Sequence, residues 1–277
     1  MKISVVFGLA LALAASTSAQ VTNTTIVVTP SSLPPVPTAT GVANDSAPGF
    51  PLDSWAHNGG GTKSEFYITP AALFGGRTIT LGDIARISYW TKTPFTHGTD
   101  PRDWYLAIYS NPYPGDVSTP SWYGVRIGSE PYFSANVSDP ANTWNQWSTD
   151  GASNKLRFFE STAGAPGANF GSYTDPDWAA FAAGNALGSG VPYAGLSILT
   201  FSVQTGSAWS AGFTGQLDGL RIELTDGSVA RVNFEAMNHI PSSKDQCKGE
   251  GWKSLYRADF SAFKNQGDCV QYVNTGK

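Results

Sequence analysis

Leu220-Arg221-Ile222-Glu223-Leu224-Thr225-Asp226-Gly227-Ser228-Val229-Ala230-Arg231-Val232-Asn233-Phe234 is the stretch whose reading decides the fold. Apolar side chains at 220, 222 and 224 alternate with Arg221 and Glu223, a polar turn intervenes, and alternation resumes at Val229. Period two on both sides of a turn is the pattern of a β-hairpin. Asp-Gly usually signals a two-residue loop, but that register sets Ile222 opposite Arg231 and mixes apolar with polar side chains on one face. A three- or five-residue loop is expected instead, pairing Ile222 with Val232 and Leu220 with Phe234 and leaving Glu223 to face Arg231 outside. One face is then buried and the other wet, as in an antiparallel sandwich.

Working outward, further strands are expected over residues 64–68, 77–81, 84–90, 104–109, 122–127, 156–159 and 196–203, separated by turn clusters. Thr69, Pro70 and Gly75 mark a single helical turn. One helix is expected, capped by Asp175, started by Pro176, filled by 178–182 and stopped by Gly184. With thirty Gly and eighteen Pro punctuating the chain, a sandwich or barrel is favoured over an α/β fold.

The two ends differ from this body. Lys2, the apolar run 3–15 and the small residues closing on Ala19 have the layout of a signal peptide over residues 1–19. Residues 20–48 are rich in Ser, Thr and Pro and read as a disordered linker or O-glycosylated arm. The sandwich domain is assigned to 49–236 and a separate tail to 237–277. In an exported chain the only two cysteines, Cys247 and Cys269, are expected to pair and staple that tail. Asn23, Asn44 and Asn136 open N-glycosylation sequons.

Charge narrows the partners. Without Lys2, sixteen basic residues face twenty-one acidic ones, a mild acidity that argues against nucleic acid or an anionic membrane surface. No later segment has the length or apolarity of a membrane span.

The run Gly215-Gln216-Leu217-Asp218-Gly219-Leu220-Arg221-Ile222, with the strand ending Val232-Asn233-Phe234-Glu235, resembles the closing strands of concanavalin A-like, jelly-roll sandwiches of microbial secreted proteins. Residues 79–90 are similar to their opening strands. That resemblance implies an all-β antiparallel jelly-roll and leaves activity open among lectins, carbohydrate-binding modules, glycoside hydrolases and polysaccharide lyases. Residues 244–252 and 263–270 resemble a short two-cysteine module carried by varied secreted microbial proteins.

Chemistry is harder to place. Asp100, Asp103, Glu130 and Asp150 have aromatic neighbours, yet Asp100-Pro101 and Asp150-Gly151 are ordinary turn sequences. His57, His97 and His239 lie in no nucleophile motif, and the glycine run after His57 reads equally as a loop. No cofactor is expected; Asp218 alone is a weak candidate for a structural calcium ligand. Sugar binding asks only for flat rings and a few orienting polar groups. Trp104, Tyr105, Tyr109, Tyr113, Trp122, Tyr123, Arg126, Trp144, Asn145, Gln146 and Trp147 supply these in one part of the chain. Alternation turns Trp104 away from Tyr105 and Trp122 away from Tyr123, so only about half of the rings can be exposed. Trp122, Trp144 and Trp147, near turns, lead the ligand candidates, followed by Trp104, Arg126 and Asn145. The expectation is a secreted, non-catalytic glycan-binding protein. A polysaccharide-cleaving enzyme on the same scaffold, or a wall-associated structural protein, are the alternatives.

Overall fold

The computed structural model describes residues 21–30, 39–117 and 122–277. The expected signal peptide therefore lies outside the described residues, as does the centre of the Ser/Thr/Pro-rich arm.

Twelve strands are found among the described residues: β1 (Asn23–Val28), β2 (Gly41–Ala43), β3 (Ser54–Asn58), β4 (Glu65–Ile68), β5 (Ile84–Lys92), β6 (Tyr105–Ser110), β7 (Arg126–Ser129), β8 (Asn145–Ser148), β9 (Phe159–Glu160), β10 (Ile198–Gln204), β11 (Thr214–Leu224) and β12 (Val229–Phe234). They form two sheets. In the first, β11 is flanked on one side by β5 and then β8. Its other side is shared, β3 and β2 pairing along its first half and β12 and β1 along its second. The second sheet runs β4-β10-β6-β7-β9.

Apolar side chains on one face of each sheet meet in a single core that includes Phe66, Leu106, Ile108, Ile127, Phe201, Ile222 and Val232. Trp55, Phe66 and Phe234 lock the sheets together, their ring centroids 5.0–6.0 Å apart in edge-to-face contacts, the geometry that aromatic quadrupoles favour.

The hairpin forms with the expected faces but a register two residues away. Leu220 pairs with Val232 and Ile222 with Ala230, and Thr225-Asp226-Gly227 makes a three-residue loop. Gly227 takes a φ of 86°, the left-handed conformation that closes such a loop. A slip of two preserves which side chains point inward, so burial alone did not choose between the loops. Glu223 consequently does not face Arg231; it pairs with Arg221 at 2.8 Å and with Arg86 at 3.4 Å.

Asp218-Gly219 marks the place where β11 changes partner from β3 to β12. Gly219 has a φ of 66° and the β5 register shifts here, as at a bulge. The buried Asp218 carboxylate accepts hydrogen bonds from the backbone N–H of Gly219, Phe234 and Ala47 at 2.7, 3.2 and 3.0 Å. Its oxygens thus hold the branch point of the sheet together.

The arm also departs from expectation. Its β-branched run 24–28 forms most of β1, which pairs parallel to β12 from Asn23–Val229 to Val28–Phe234, and Gly41–Ala43 forms β2. Composition averaged over 20–48 hid a strand-forming segment. Every other ladder is antiparallel. Residues 77–81 make only an isolated bridge, Thr80 with Ser197.

Among the described residues there are three α-helices: α1 (Pro70–Leu73), the expected helical turn; α2 (Trp178–Ala182), the expected helix; and α3 (Gln266–Thr275), which was not expected. Thr69 caps α1 as expected. Asp177, not Asp175, caps α2, accepting from the Ala180 N–H at 3.1 Å; Asp175 instead accepts from the Ser172 N–H. Cys247 and Cys269 form the disulfide, which joins α3 to the turn at 244–247 over a small cluster containing Phe263. The tail is docked onto the sandwich: Tyr256 donates to Glu235 Oε1 at 2.9 Å, and the Phe260 ring lies 5.6 Å from that of Phe50. No helix among the described residues is long and apolar enough to cross a membrane.

Candidate functional site

The second sheet turns one face to the main core, while its other face is covered over much of its area by its own side chains, with Gln204, Thr200 and Tyr109 all buried. Its register arranges the outer face in rows across the strands. Glu65 stands opposite Gln204, and Gln204 opposite Tyr105; continuing the β6–β7 register by one residue brings Glu130 beside Tyr105. The next row is Tyr67, Ser202, Ala107, Gly128 and Phe159. The third is Thr200, Tyr109 and Arg126. Small side chains fill the middle of the second row, so rings from either side close over them and Ser202 and Ala107 have no exposed surface.

Two groups of rings border this face. At the Tyr109 end, Trp122 lies 4.8 Å from Tyr109, 5.0 Å from Tyr123 and 6.3 Å from Tyr67, and keeps 55% of its surface exposed. At the Tyr105 end, a depression of about 260 Å³ is lined by Tyr105, Glu130, Tyr132, Phe133 and Trp209, among others. Tyr173 joins Tyr132 and Phe133 there at 5.3 Å from each. Tyr105 and Tyr109 are four residues apart on one strand, so the two groups stand about 13 Å apart.

Polar groups tie the face together. Gln204 Nε2 donates to Tyr109 Oη at 3.2 Å, while Lys63 donates to Gln204 Oε1 at 2.7 Å and pairs with Glu65 at 2.5 Å. Tyr67 Oη donates to Glu65 at 3.0 Å; burial and that carboxylate push its own ionisation upward. Burial raises Glu130 to about 7, opposed by the charge of Arg126. Arg126 itself has a buried Nε without a hydrogen-bond partner among the described residues.

The sequence candidates separate sharply on this map. Trp122 and Arg126 stand on the outer face. Trp147 and Trp104 do not: both have no exposed surface, their indole N–H groups donating to Thr91 Oγ1 at 2.7 Å and to the Gly215 carbonyl at 3.2 Å. Asn145 is buried, its amide donating to the Thr143 carbonyl at 3.0 Å. Trp144 is half-buried on the first sheet, donating to Asp45 at 3.3 Å, away from the Trp122 group. Strand β7 begins only at Arg126, so Trp122 and Tyr123 precede the alternating segment and both pack against Tyr109. The sequons Asn23, Asn44 and Asn136 are all exposed.

Tyr67, Gln204 and Glu65 were not among the sequence candidates. β4 and β10 lie far apart in the chain, and only the sheet register unites them.

The remaining titratable groups are tied into the framework. Asp100 pairs with Arg102 and Asp150 with Arg86. Asp103 accepts from Thr91 Oγ1 and the Trp104 N–H. His57 is buried between Ser64 Oγ and the Ser210 carbonyl. One group has metal-ligand composition: Asp53, Glu235 and His239, whose ligand atoms lie within 4.8 Å of one another. Its carboxylates are already engaged, Glu235 accepting from Tyr256, Asn233 and the Asp53 N–H, and His239 Nε2 lying 3.1 Å from Asp53. The His239 Nδ1 faces the Ser254 carbonyl at 2.8 Å, so the group fastens the tail to the end of β12.

No family model, curated protein or solved structure matches the chain.

Proposed function

We propose that the chain is a secreted, non-catalytic glycan-binding protein of jelly-roll, concanavalin A-like architecture, with its ligand on the outer face of the second sheet. The observation that carries the reading is Trp122: a largely exposed indole set among Tyr67, Tyr109 and Tyr123 on a β-sheet face that also carries Gln204 and Arg126. Planar rings offer apolar area to the faces of pyranoses and the Arg126 guanidinium gives orientation, while the buried Gln204 amide holds Tyr109 and Lys63 in place beneath them. A second ring group about 13 Å along the sheet suits an extended chain better than a single sugar.

Binding is favoured over hydrolysis by the placement of the carboxylates: of the two that line the depression beside Tyr105, Asp103 and Glu130, Asp103 is buried and engaged by Thr91 and the Trp104 N–H. Glu65 and Glu130 end the same row with two strands between them, about 14 Å apart at the backbone. Tyr67 and Lys63 hold the Glu65 carboxylate on its own side. Paired acid/base or nucleophile work needs carboxyl groups roughly 5–9.5 Å apart. Elimination by a tyrosine base is not favoured either, since burial raises the ionisation of Tyr109 and Tyr105.

The test is to incubate the mature protein with a polysaccharide panel while following both retention and new reducing ends. Retention without cleavage is expected. Cleavage would replace this reading with the enzymatic one, and an inert protein would return the weight to a wall-associated structural role.

A further inference from the structure

Building on the glycan-binding reading, we infer that the ligand is an acidic polysaccharide, whose uronate carboxylate is received by Arg126 beside the Trp122 platform.

Arg126 is the cation on the outer face left without an anion. Lys63 pairs with Glu65 at 2.5 Å, and Arg77, Arg86, Arg102, Arg221 and Arg257 elsewhere each pair with an Asp or Glu; Arg231 in β12 and Arg157 before β9 also lack an ion pair among the described residues, but neither stands on a strand of the second sheet. Arg126 forms no ion pair among the described residues, and its Nε is buried with no partner there. The remaining segments, 1–20, 31–38 and 118–121, contain no Asp or Glu that could serve. A guanidinium drawn half out of water without a counter-charge is costly, and the cost is recovered where a ligand brings the charge.

Position agrees with that role. Arg126 stands directly across the β6–β7 ladder from Tyr109, whose ring lies 4.8 Å from that of Trp122. The guanidinium therefore stands one cross-strand step from the Tyr109 ring on which the indole rests. The Glu130 carboxyl, just past the end of β7, feels the charge of Arg126 but forms no ion pair with it, and burial raises it to about 7. The planar guanidinium fork matches a carboxylate in two parallel hydrogen bonds. A polyphosphate such as nucleic acid would need many such cations, whereas the chain is acidic overall, at −4. A single arginine without an ion pair on this face suits one carboxylate per site.

The experiment measures binding of the full mature chain to polygalacturonate, alginate and hyaluronate, to the same polymers with their carboxyl groups reduced to alcohols, to dextran sulfate and to neutral glucans. The parent is expected to bind at least one carboxylated polymer about 10-fold or more tightly than its reduced form. Arg126→Gln should lose that preference, about 10-fold or more in affinity for the carboxylated polymer, and bind the carboxylated and reduced forms alike; Arg126→Lys should recover part of the preference. Thermal melting checks that both variants fold, and the reduced polymers carry the comparison on the parent alone if neither does. Equal binding to carboxylated and reduced forms, a preference for neutral glucans, or retention on dextran sulfate alone would overturn the acidic ligand and leave the glycan reading standing. Failure of the parent to bind any polymer would remove the glycan reading, and the acidic ligand with it.

Discussion

The Tyr109 and Trp122 rings meet at 4.8 Å with their planes inclined by 35°, one ring buried in the sheet face and the other largely in solvent. Tyr109 thus seats an indole that the fold itself does not need. Trp122→Ala is expected to reduce glycan retention about 10-fold or more while changing stability by about 1 kcal/mol or less. Affinity electrophoresis alongside a denaturant titration separates the two effects.

Trp147 should behave in the opposite way. Its side chain is fully enclosed and its N–H is bonded to Thr91, so Trp147→Ala removes packing that nothing can refill. A loss of about 3–5 kcal/mol is expected, read as a lowered denaturation midpoint. Any folded fraction should keep its ligand affinity.

Burial holds the Glu130 carboxyl at about 7 against a reference of 4.5. Between those values the native state binds more protons than the unfolded chain, so Glu130 lowers stability as pH rises from about 4.5 to 7 and leaves it lowered above that. Glu130→Gln should melt close to the parent at pH 4.5 and about 3 °C or more above it at pH 8. Glu235, also raised to about 7 by burial, keeps its own dependence in both proteins, so the difference between the two melting curves isolates Glu130.

The Cys247–Cys269 bond closes a loop of sequence separation 22 around a small cluster. Opening it with Cys247→Ser and Cys269→Ser together should cost about 3 kcal/mol by loop entropy. Limited proteolysis should then cut first between 240 and 265, with the sandwich cleaved later. Simultaneous digestion of both parts would show that the tail's docking through Tyr256 is required by the whole fold.

Gly227 occupies the left-handed region at a φ of 86° in the loop between β11 and β12. Gly227→Ala should destabilise by about 1 kcal/mol. Asp226→Ala should also be felt, since that carboxylate accepts from the Ser228 N–H at 2.8 Å and pairs with Arg77. Equilibrium unfolding in urea resolves both.

How far each feature was legible follows from the range of the forces that set it. Period-two alternation in 220–234 was enough for the hairpin and its buried face, because side-chain direction along a strand is local. Its register slipped by two without disturbing those faces, and Glu223 found Arg221 and Arg86 instead of Arg231. Helix α3 has a local start signal, Asn265 accepting from the Asp268 N–H, and a local stop at Gly276. The cysteine pair was likewise fixed by there being two of them.

The sequence by itself determined an all-β chain with alternating strands, a stapled tail and more rings than charges would suggest. Which rings face a ligand was decided only in three dimensions. Trp104, Trp122 and Trp147 are chemically identical and all lie near turns or strand ends, yet two are sealed in the core and one is open. Burial of a ring depends on the sheet packed against its strand. The row that joins Glu65, Gln204, Tyr105 and Glu130 comes from ladders between distant segments, so no local pattern could have written it.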